Sequence, residues 1–241
     1  MMKNIYVYIL GGLAAACLTA VLLITSVEAV CYWMPGYFEH EYEKHQVLED
    51  VDMEMEDLLL VTDHMMAYLR GDREDLQVEA NIGGRMQPFF NQREISHMED
   101  VQGLFLGGLG LRRICLCLGA VLIFVIWRTG KLKLLPRAIC IGTGAVFGIT
   151  ALLALVTAAD FRRSFTLFHQ IFFDNDLWLL NPKTDRLINI VPQGFFVDTA
   201  LWIAVVFGIC MALLLGGSIF AIVRFRRQTE KKPASVQKPT V

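Results

Sequence analysis

Long apolar stretches dominate the pattern of hydrophobic and polar positions along the chain. Three of them carry no charged residue over more than 20 positions, namely 4–27, 138–159 and 199–223. The fourth, 114–127, is shorter because Arg113 and Arg128 bound it, although arginines near a helix end can reach the lipid headgroups. Roughly 20 helical residues cross a hydrocarbon core about 30 Å thick. The pattern therefore predicts four transmembrane helices, and Gly144 and Gly148 in the third permit close helix contact.

The longest polar segment, 28–110, has shorter periodicities of its own. Residues 52–69 place most of their apolar side chains along one helical stripe. Residues 76–82 alternate between apolar and polar, which predicts a strand, and 186–192 is a second strand candidate. Asn91 is typical of the residue that caps the start of a helix. These patterns predict a small folded α+β cap rather than an open loop.

Basic residues indicate which segments face the cytoplasm. The 128–137 turn carries four of them, the 224–241 tail carries six against one glutamate, and Lys3 precedes the first helix. The 28–110 segment carries 18 acidic residues against five basic ones and is predicted to lie outside. The 160–198 segment must lie on the same side by connectivity. Both termini are therefore expected in the cytoplasm.

The predicted fold class is a mostly α membrane protein with four transmembrane helices and a small extracytoplasmic α+β cap. It is expected to be a multi-pass protein of a bacterial cell membrane. Its predicted parts follow in order: transmembrane helix 1 (1–27), the cap (28–110), transmembrane helices 2 and 3 with a basic cytoplasmic turn (111–159), a second extracytoplasmic segment (160–198), transmembrane helix 4 (199–223) and a basic cytoplasmic tail (224–241).

Cysteine positions limit the functions that the cap can have. Of the six cysteines, Cys31 alone lies in a predicted outer segment, so no disulfide can form within the cap. This excludes disulfide-carrier enzymes and disulfide-tied adhesion proteins from the leading candidates. The first apolar stretch continues to Val27, which is longer than the core of a signal peptide and favours an uncleaved anchor.

The candidate chemistry begins with five histidines in the outer segments: His40, His45, His64, His97 and His169. The first three lie in acidic, surface-like sequence and are interpreted as solvated side chains. Seven methionines between Met34 and Met98 could form a soft-metal site with them, but a methionine face that packs the cap is the more usual arrangement. No metal ligands are assigned, and a metal-binding membrane protein remains an alternative.

His97 and His169 differ from the others in position. Each lies within one or two helical turns of a predicted membrane boundary and close to aromatic residues. Two histidines there could transfer protons on a lipid-borne group, or could simply hydrogen-bond backbone carbonyls. The sequence has no GxSxG, HExxH, Walker or paired-cysteine motif. Any reaction would therefore proceed without a conventional covalent enzyme intermediate.

Strings of polar and aromatic residues around these histidines are specific enough to suggest a family. The string N-x-R-E-x-x-H-M covers 91–98, and F-H-x-x-F-F-x-N-x-x-W covers 168–178. In these strings the chain resembles the bacterial lipoprotein intramolecular transacylases, called Lit. The likeness runs from about Tyr37 to Phe196 and rests on the segments 55–63, 68–71, 90–101, 104–105, 168–188 and 192–196.

The resemblance implies both a fold and a reaction. The fold would be four helices beneath an outer cap. The reaction would move the sn-2 acyl chain of a diacylglyceryl-modified N-terminal cysteine onto the α-amino group of that cysteine, giving a lyso-form lipoprotein. The two catalytic histidines of the family correspond to His97 and His169, and no cofactor is implied. The chain departs from the family at Asn181, where an acidic residue would be expected before Pro182.

Roles for the surrounding residues follow as hypotheses. His97 is expected to act as the base and His169 to assist collapse of the tetrahedral centre, while Arg93 or a cap amide stabilises the oxyanion. The paired arginines 112–113 and 162–163 would contact lipid headgroups or simply anchor the helices. The residues expected to bind or orient the substrate are Phe89, Phe90, Asn91, Arg93, Glu94, Asp100, Phe168, Phe172, Phe173, Asn175 and Trp178. For each, interfacial anchoring, capping or core packing is the structural alternative.

The expected partners are diacylglyceryl-modified lipoproteins and membrane lipid, with no nucleic acid. The alternative function is a non-enzymatic scaffold or sensor with four membrane helices and an acidic ligand-binding cap. In that case the surroundings of His97 and His169 would be structural only.

Overall fold

The computed structural model describes residues 4–230, the last two as backbone only. Lys3 and the part of the predicted basic tail from residue 231 onward lie outside the described residues. The elements are α1 (Ile5–Glu28) with a π-helical turn (Ala29–Trp33), α2 (Tyr37–Lys44), α3 (Val47–Val51), α4 (Met55–Arg70), β1 (Glu79–Ile82), β2 (Arg85–Pro88), α5 (Gln92–Arg128), a 3₁₀ turn (Leu132–Leu134), α6 (Leu135–Ala159), α7 (Phe161–Phe172), α8 (Leu187–Ile190) and α9 (Gln193–Glu230).

Four of these helices are long and apolar enough to cross a membrane, namely α1, α5, α6 and α9 with their flanking turns. The predicted number of membrane helices is therefore confirmed. The second is longer than its apolar stretch, because α5 runs for 37 residues, or about 55 Å. Its first turns carry the charged residues Arg93, Glu94, Glu99 and Asp100, so they lie outside the apolar stretch.

An ion pair joins α1 to α5. Arg112 was expected to contact headgroups or to anchor the helix, but its guanidinium instead binds the carboxylate of Glu28 at the end of α1. Glu28 is buried, so the pair is largely shielded from solvent. A buried charge is tolerated when it is paired, which explains why an acidic residue can end this helix in an apolar setting.

The chain divides into two compact units. The first contains the start of α1 up to Leu22, residues 114–151, and α9 from Gly208. Here α1 and α6 approach closely at small residues. A Cβ added at Gly11 would lie 2.4 Å from the Cβ of Ala138, and one added at Gly142 would lie 2.7 Å from the Cβ of Ala15. Gly144 and Gly148 permit a close helix contact that is not made within the described residues, because a Cβ at either would meet no atom there within 4 Å.

The second unit, residues 23–113 and 152–207, contains the cap. Its core is built by α2, α3, α4, the hairpin and α8. The predicted helix of 52–69 is α4, which ends where Gly71 adopts a φ of +81°. β1 lies within the predicted strand of 76–82 and pairs antiparallel with β2, Glu79 opposite Pro88.

The second strand candidate, 186–192, is wrong. This segment forms the short helix α8, which buries both Leu187 and Ile190 in the cap core. Residues three apart lie on the same face of a helix, whereas in a strand they would point to opposite faces. The segment is therefore helical, because a helix can bury both side chains in the same core.

Gly142→Ala should destabilise the protein, since the new methyl would overlap Ala15 and approach the backbone of Gly12. Overpacking of this kind costs about 1–3 kcal/mol. Thermal unfolding in detergent should show a melting temperature lowered by several degrees. Gly144→Ala, two positions further along α6, is the matched control and should leave the melting temperature unchanged or slightly higher. Equal effects of the two substitutions would contradict the close contact.

Candidate active site

The start of α5 is fixed by a reciprocal cap. The side-chain oxygen of Asn91 accepts a hydrogen bond from the Glu94 amide at 3.0 Å, and Glu94 Oε2 accepts one from the Asn91 amide at 2.7 Å. This is the capping-box arrangement, which satisfies two amides that a helix start leaves unpaired. Asn91 is therefore the predicted N-cap, and the cap holds His97 in the second turn of α5.

The first turns of α5 also hold the loop that follows α7. Glu94 Oε1 accepts a bond from the Leu187 amide at 2.6 Å, and Asn91 Nδ2 donates to Asp185 Oδ1 at 2.9 Å. Further along the helix, Asp100 Oδ2 accepts a bond from Asn175 Nδ2 at 2.8 Å. Arg93 donates to the carbonyl of Asp176. These candidate site residues act here by docking the 173–187 loop on α5.

α7 positions the second histidine. The Nδ1 atom of His169 lies 2.7 Å from the carbonyl oxygen of Phe165, one turn earlier. A carbonyl can only accept, so Nδ1 carries the proton and Nε2 keeps its lone pair in the neutral ring. The Phe165 ring lies 4.1 Å from the His169 ring, centre to centre. The orienting role of Phe165 was missed from the sequence, although its spacing of four residues places it next to His169 on a helix.

The two histidines predicted to act together are brought together. Their ring centres are 6.1 Å apart, and both side chains are buried. Aromatic rings surround them: Phe173 lies 5.5 Å from His97 and 5.4 Å from His169, and Trp178 lies 4.9 Å from His169. The site is thus a pair of imidazoles enclosed largely by aromatic carbon.

Asn175 sets the position of Trp178. The indole Nε1 donates to the Asn175 carbonyl at 3.0 Å, while the Asn175 side-chain oxygen accepts from the Leu177 amide at 3.0 Å. Because the Asn175 amide group is itself held by Asp100 on α5, the loop, the indole and His169 form one connected arrangement.

Two polar atoms at the site have no hydrogen-bond partner within the described residues. They are Nδ1 of His97 and Nε of Arg93, and both are buried. Residues four apart face the same side of a helix, so the two atoms belong to one face of α5. An unpaired buried polar atom costs about 1–3 kcal/mol, and buried polar groups are normally satisfied. This arrangement offers hydrogen bonds to a bound polar group.

Comparison with known proteins agrees with this geometry. The model of the family described as lipoprotein intramolecular transacylase Lit matches residues 13–196. The chain belongs to the Lit family. The family suggested by the residue strings is therefore confirmed, and so is the reaction class, an acyl transfer catalysed by a membrane enzyme.

The fold is shared with solved structures. The chain resembles the in meso structure of the membrane-integral lipoprotein intramolecular transacylase Lit from Bacillus cereus, with a TM-score of 0.70, at 20% identity, over 95% of this chain and 98% of that one. A variant of the same protein with one histidine replaced by alanine gives a TM-score of 0.70 at 20% identity, over 96% and 97% of the two chains. An uncharacterized protein of Aquifex aeolicus (strain VF5) is 28% identical over 174 residues, 70% of this chain and 75% of that one.

Burial keeps both histidines of this Lit family member uncharged. It lowers the pKa of His97 to about 4, an effect to which the neighbouring His169 and then Arg93 add, while Asp100 opposes it. Burial also lowers the pKa of His169, although the bond to the Phe165 carbonyl acts in the opposite direction. Near neutral pH the site therefore contains two neutral imidazoles, each with one donor and one acceptor nitrogen.

Some of the predicted site residues lie elsewhere in this Lit fold. Phe89 and Phe90 were expected to wall the site, but they are buried in the cap core with their ring centres 4.8 Å apart. Both side chains are apolar enough to join the core, which explains the difference. Phe172 packs on Phe168 at 4.7 Å and is exposed, and Phe168 also contacts His169 at 5.5 Å.

Two further sequence interpretations are settled by the hydrogen bonds. The Asn181 side-chain oxygen accepts a bond from the Lys183 amide at 3.1 Å, a role that an acidic residue could also fill. The departure from the family pattern therefore leaves this turn intact.

His45 was interpreted as solvated, but it is half-buried with Nε2 2.7 Å from Asp198 Oδ2.

Glu94→Gln should destabilise the protein, because an amide nitrogen would replace one of two oxygens that both accept backbone bonds. A buried donor left unpaired costs about 1–3 kcal/mol. Thermal unfolding in detergent should therefore begin several degrees lower. The matched control is Glu99→Gln, an exposed position on the same helix, which should unfold like the parent. An unchanged melting temperature for Glu94→Gln would contradict the docking role of this carboxylate.

Proposed function

We propose that this chain moves the sn-2 acyl chain of a diacylglyceryl-cysteine lipoprotein to the α-amino group of the same cysteine. The observation that carries the proposal is the buried pair of neutral imidazoles, His97 and His169, inside a member of the Lit family. Transfer of an acyl group from oxygen to nitrogen requires one proton to move, which a neutral imidazole can accept and return.

The reaction balances within one substrate molecule. The α-amino nitrogen attacks the sn-2 ester carbonyl, so a C–N bond forms and a tetrahedral oxyanion develops. When this centre collapses, the bond to the glyceryl oxygen breaks. The proton lost by the nitrogen goes to that oxygen, and no water or cofactor is consumed. The products are an N-acyl cysteine and a free sn-2 hydroxyl, which together make the lyso form.

His169 is the better candidate for the base, which reverses the roles expected from the sequence. Its Nδ1–H is held by the Phe165 carbonyl, so Nε2 presents a fixed lone pair. The same carbonyl favours the charged ring that forms when the proton is accepted. An oriented base of this kind can take the proton from the amine and then return it to the leaving glyceryl oxygen.

His97 and Arg93 are then candidates for stabilising the oxyanion. His97 remains neutral, so its ring can donate an N–H to a negative oxygen while the other nitrogen accepts. Arg93 Nε is a second unpaired donor on the same face of α5. Removing one such donor in other enzymes slows the reaction by about 10²–10³.

The aromatic enclosure supports transfer over hydrolysis. Water in the site could attack the same ester carbonyl, and the rings of Phe168, Phe173 and Trp178, centred 4.9–5.5 Å from the His169 ring, offer it an apolar surface. Because the ester and the amine belong to one molecule, holding them together can supply about 7–11 kcal/mol of the barrier reduction. The exposed apolar side chains of α7, which include Leu167, Phe168 and Ile171, suit the acyl chains of such a substrate and the surrounding lipid.

The proposed orientation places this site on the extracytoplasmic side. Lipoprotein N-termini modified with diacylglycerol would then reach it from the outer leaflet, and both termini of the chain would be cytoplasmic. The support is the distribution of charge, with basic residues between α5 and α6 and after α9, and an acidic cap.

Replacing either histidine should abolish most of the activity. With a synthetic diacylglyceryl lipopeptide in nanodiscs, His169→Gln should lower kcat by about 10²–10⁴. His97→Gln should lower it by about 10²–10³. Mass spectrometry of the product, with fragments that place one acyl chain on nitrogen, provides the measurement. His64→Gln in the cap is the control and should keep full activity. Normal turnover in folded His169→Gln would refute the role of this histidine as the base, whereas folded parent protein that forms no N-acyl product would favour the scaffold alternative.

The pH dependence should report the substrate amine rather than a histidine. Because burial lowers the pKa of both histidines, their neutral forms persist below pH 6.5. A free α-amino group has a pKa of about 7.7–8.0 and cannot attack when protonated. kcat/KM should therefore rise about tenfold per pH unit up to about pH 7.7 and then level off. A midpoint near pH 6.5 would instead indicate a histidine that titrates as it does in water.

A further inference from the structure

A second cluster of polar side chains lies away from the paired imidazoles. Glu41 is on α2, His45 follows the end of that helix by one residue, and Asp198 lies in the second turn of α9. His45 Nε2 is 2.7 Å from Asp198 Oδ2 and 3.4 Å from Glu41 Oε2. One oxygen from each carboxylate and this nitrogen all lie within 4.8 Å of one another. The proposed acyl transfer uses none of the three.

Glu41 is the unusual member of the cluster. Its side chain is 1% exposed, yet neither carboxylate oxygen has a hydrogen-bond partner within residues 4–230. A carboxylate withdrawn from water is normally paired, hydrogen-bonded or bound to a metal ion. Its recorded contact is with His45 Nε2, 3.4 Å from Oε2, which is an ion-pair separation but does not have the geometry of a hydrogen bond. Glu41 therefore presents unsatisfied oxygens to the same space as His45 and Asp198.

The backbone is shaped to admit the His45 ring. Gly194 lies in the first turn of α9, and a Cβ added there would be 2.5 Å from His45 Cε1 and 2.8 Å from Nδ1. Any side chain at this position would displace the imidazole. Glycine thus allows the ring to lie against α9 with Nε2 directed at Asp198 and Glu41.

We propose that Glu41, His45 and Asp198 bind a divalent zinc ion. One imidazole nitrogen and two carboxylate oxygens form a donor set that Zn²⁺ accepts, with water completing the tetrahedron. Ligands about 2.1 Å from a tetrahedral metal are about 3.4 Å apart, which is the separation of His45 Nε2 and Glu41 Oε2. The shorter contact to Asp198 opens when the ion replaces the proton between the two groups.

Lys44 is the competing cation. Its ammonium lies 2.7 Å from Asp198 Oδ2, the oxygen that also contacts His45. The Lys44 side chain is 46% exposed, so it can turn into solvent when a metal takes its place. The ion would join the end of α2 to the start of α9 within the cap unit and stabilise the folded state in proportion to its concentration.

Zinc binding is tested on the full chain in detergent. After removal of metals with a chelator, the protein is titrated with Zn²⁺ by calorimetry, and bound zinc is measured after desalting. We expect one zinc per chain and a melting temperature raised by about 5 °C or more at saturating zinc. His45→Gln should weaken binding by more than about 100-fold, because loss of partners outside the ligand shell already costs about 10–100-fold.

His40→Gln is the matched control, since His40 is an exposed histidine on α2, five residues before His45. It should bind zinc like the parent. Asp198→Asn provides a second variant that removes a ligand. After metal removal, the parent and all variants should elute and melt as folded protein. The proposal is overturned if the folded parent binds no stoichiometric zinc, or if His45→Gln binds zinc as tightly as His40→Gln.

Discussion

The geometry of the candidate active site depends on one buried carboxylate, that of Glu94. It accepts hydrogen bonds from the backbone of Asn91, where α5 begins, and of Leu187, where the loop after α7 ends. His97 lies on the helix that the first of these segments begins, and Trp178 lies in the loop that the second ends. A buried carboxylate is tolerated because both oxygens are satisfied, and it penalises any arrangement in which either segment moves away. Glu94 therefore ties the start of the helix that carries His97 to the end of the loop that carries Trp178, although it contacts neither histidine ring in the recorded contacts.

The sequence predicted those parts of the fold that arise from local patterns. The membrane helices, α4 and the cap of α5 were predictable because periodicity and capping chemistry act over a few residues. The strand expected at 186–192 failed since the burial of Leu187 and Ile190 is decided by the cap core, which is assembled from distant segments. Phe89 and Phe90 were misplaced for the same reason, because an aromatic pair suits a core as well as a pocket.

The sequence predicted which histidines form the candidate site but not how they are arranged. The strings around His97 and His169 named both histidines, but their spacing could not show that Phe165 fixes the tautomer or that the rings lie 6.1 Å apart. The cluster of Glu41 and His45 was missed because its third member, Asp198, lies far along the chain and lies beside them only in the folded cap unit. Contacts of this kind depend on tertiary structure and leave no local signal.

The ion pair between Glu28 and Arg112 has a consequence for how the helices stay aligned along their axes. Apolar helix faces in lipid bury similar surface when one slides past the other by a turn, so packing alone resists axial slippage weakly. A single charge pair makes one register distinct, because sliding by one turn would leave two unpaired charges in an apolar setting. His97 precedes Arg112 on α5 by about four turns, or about 22 Å. The pair therefore fixes the axial position of His97 relative to the end of α1.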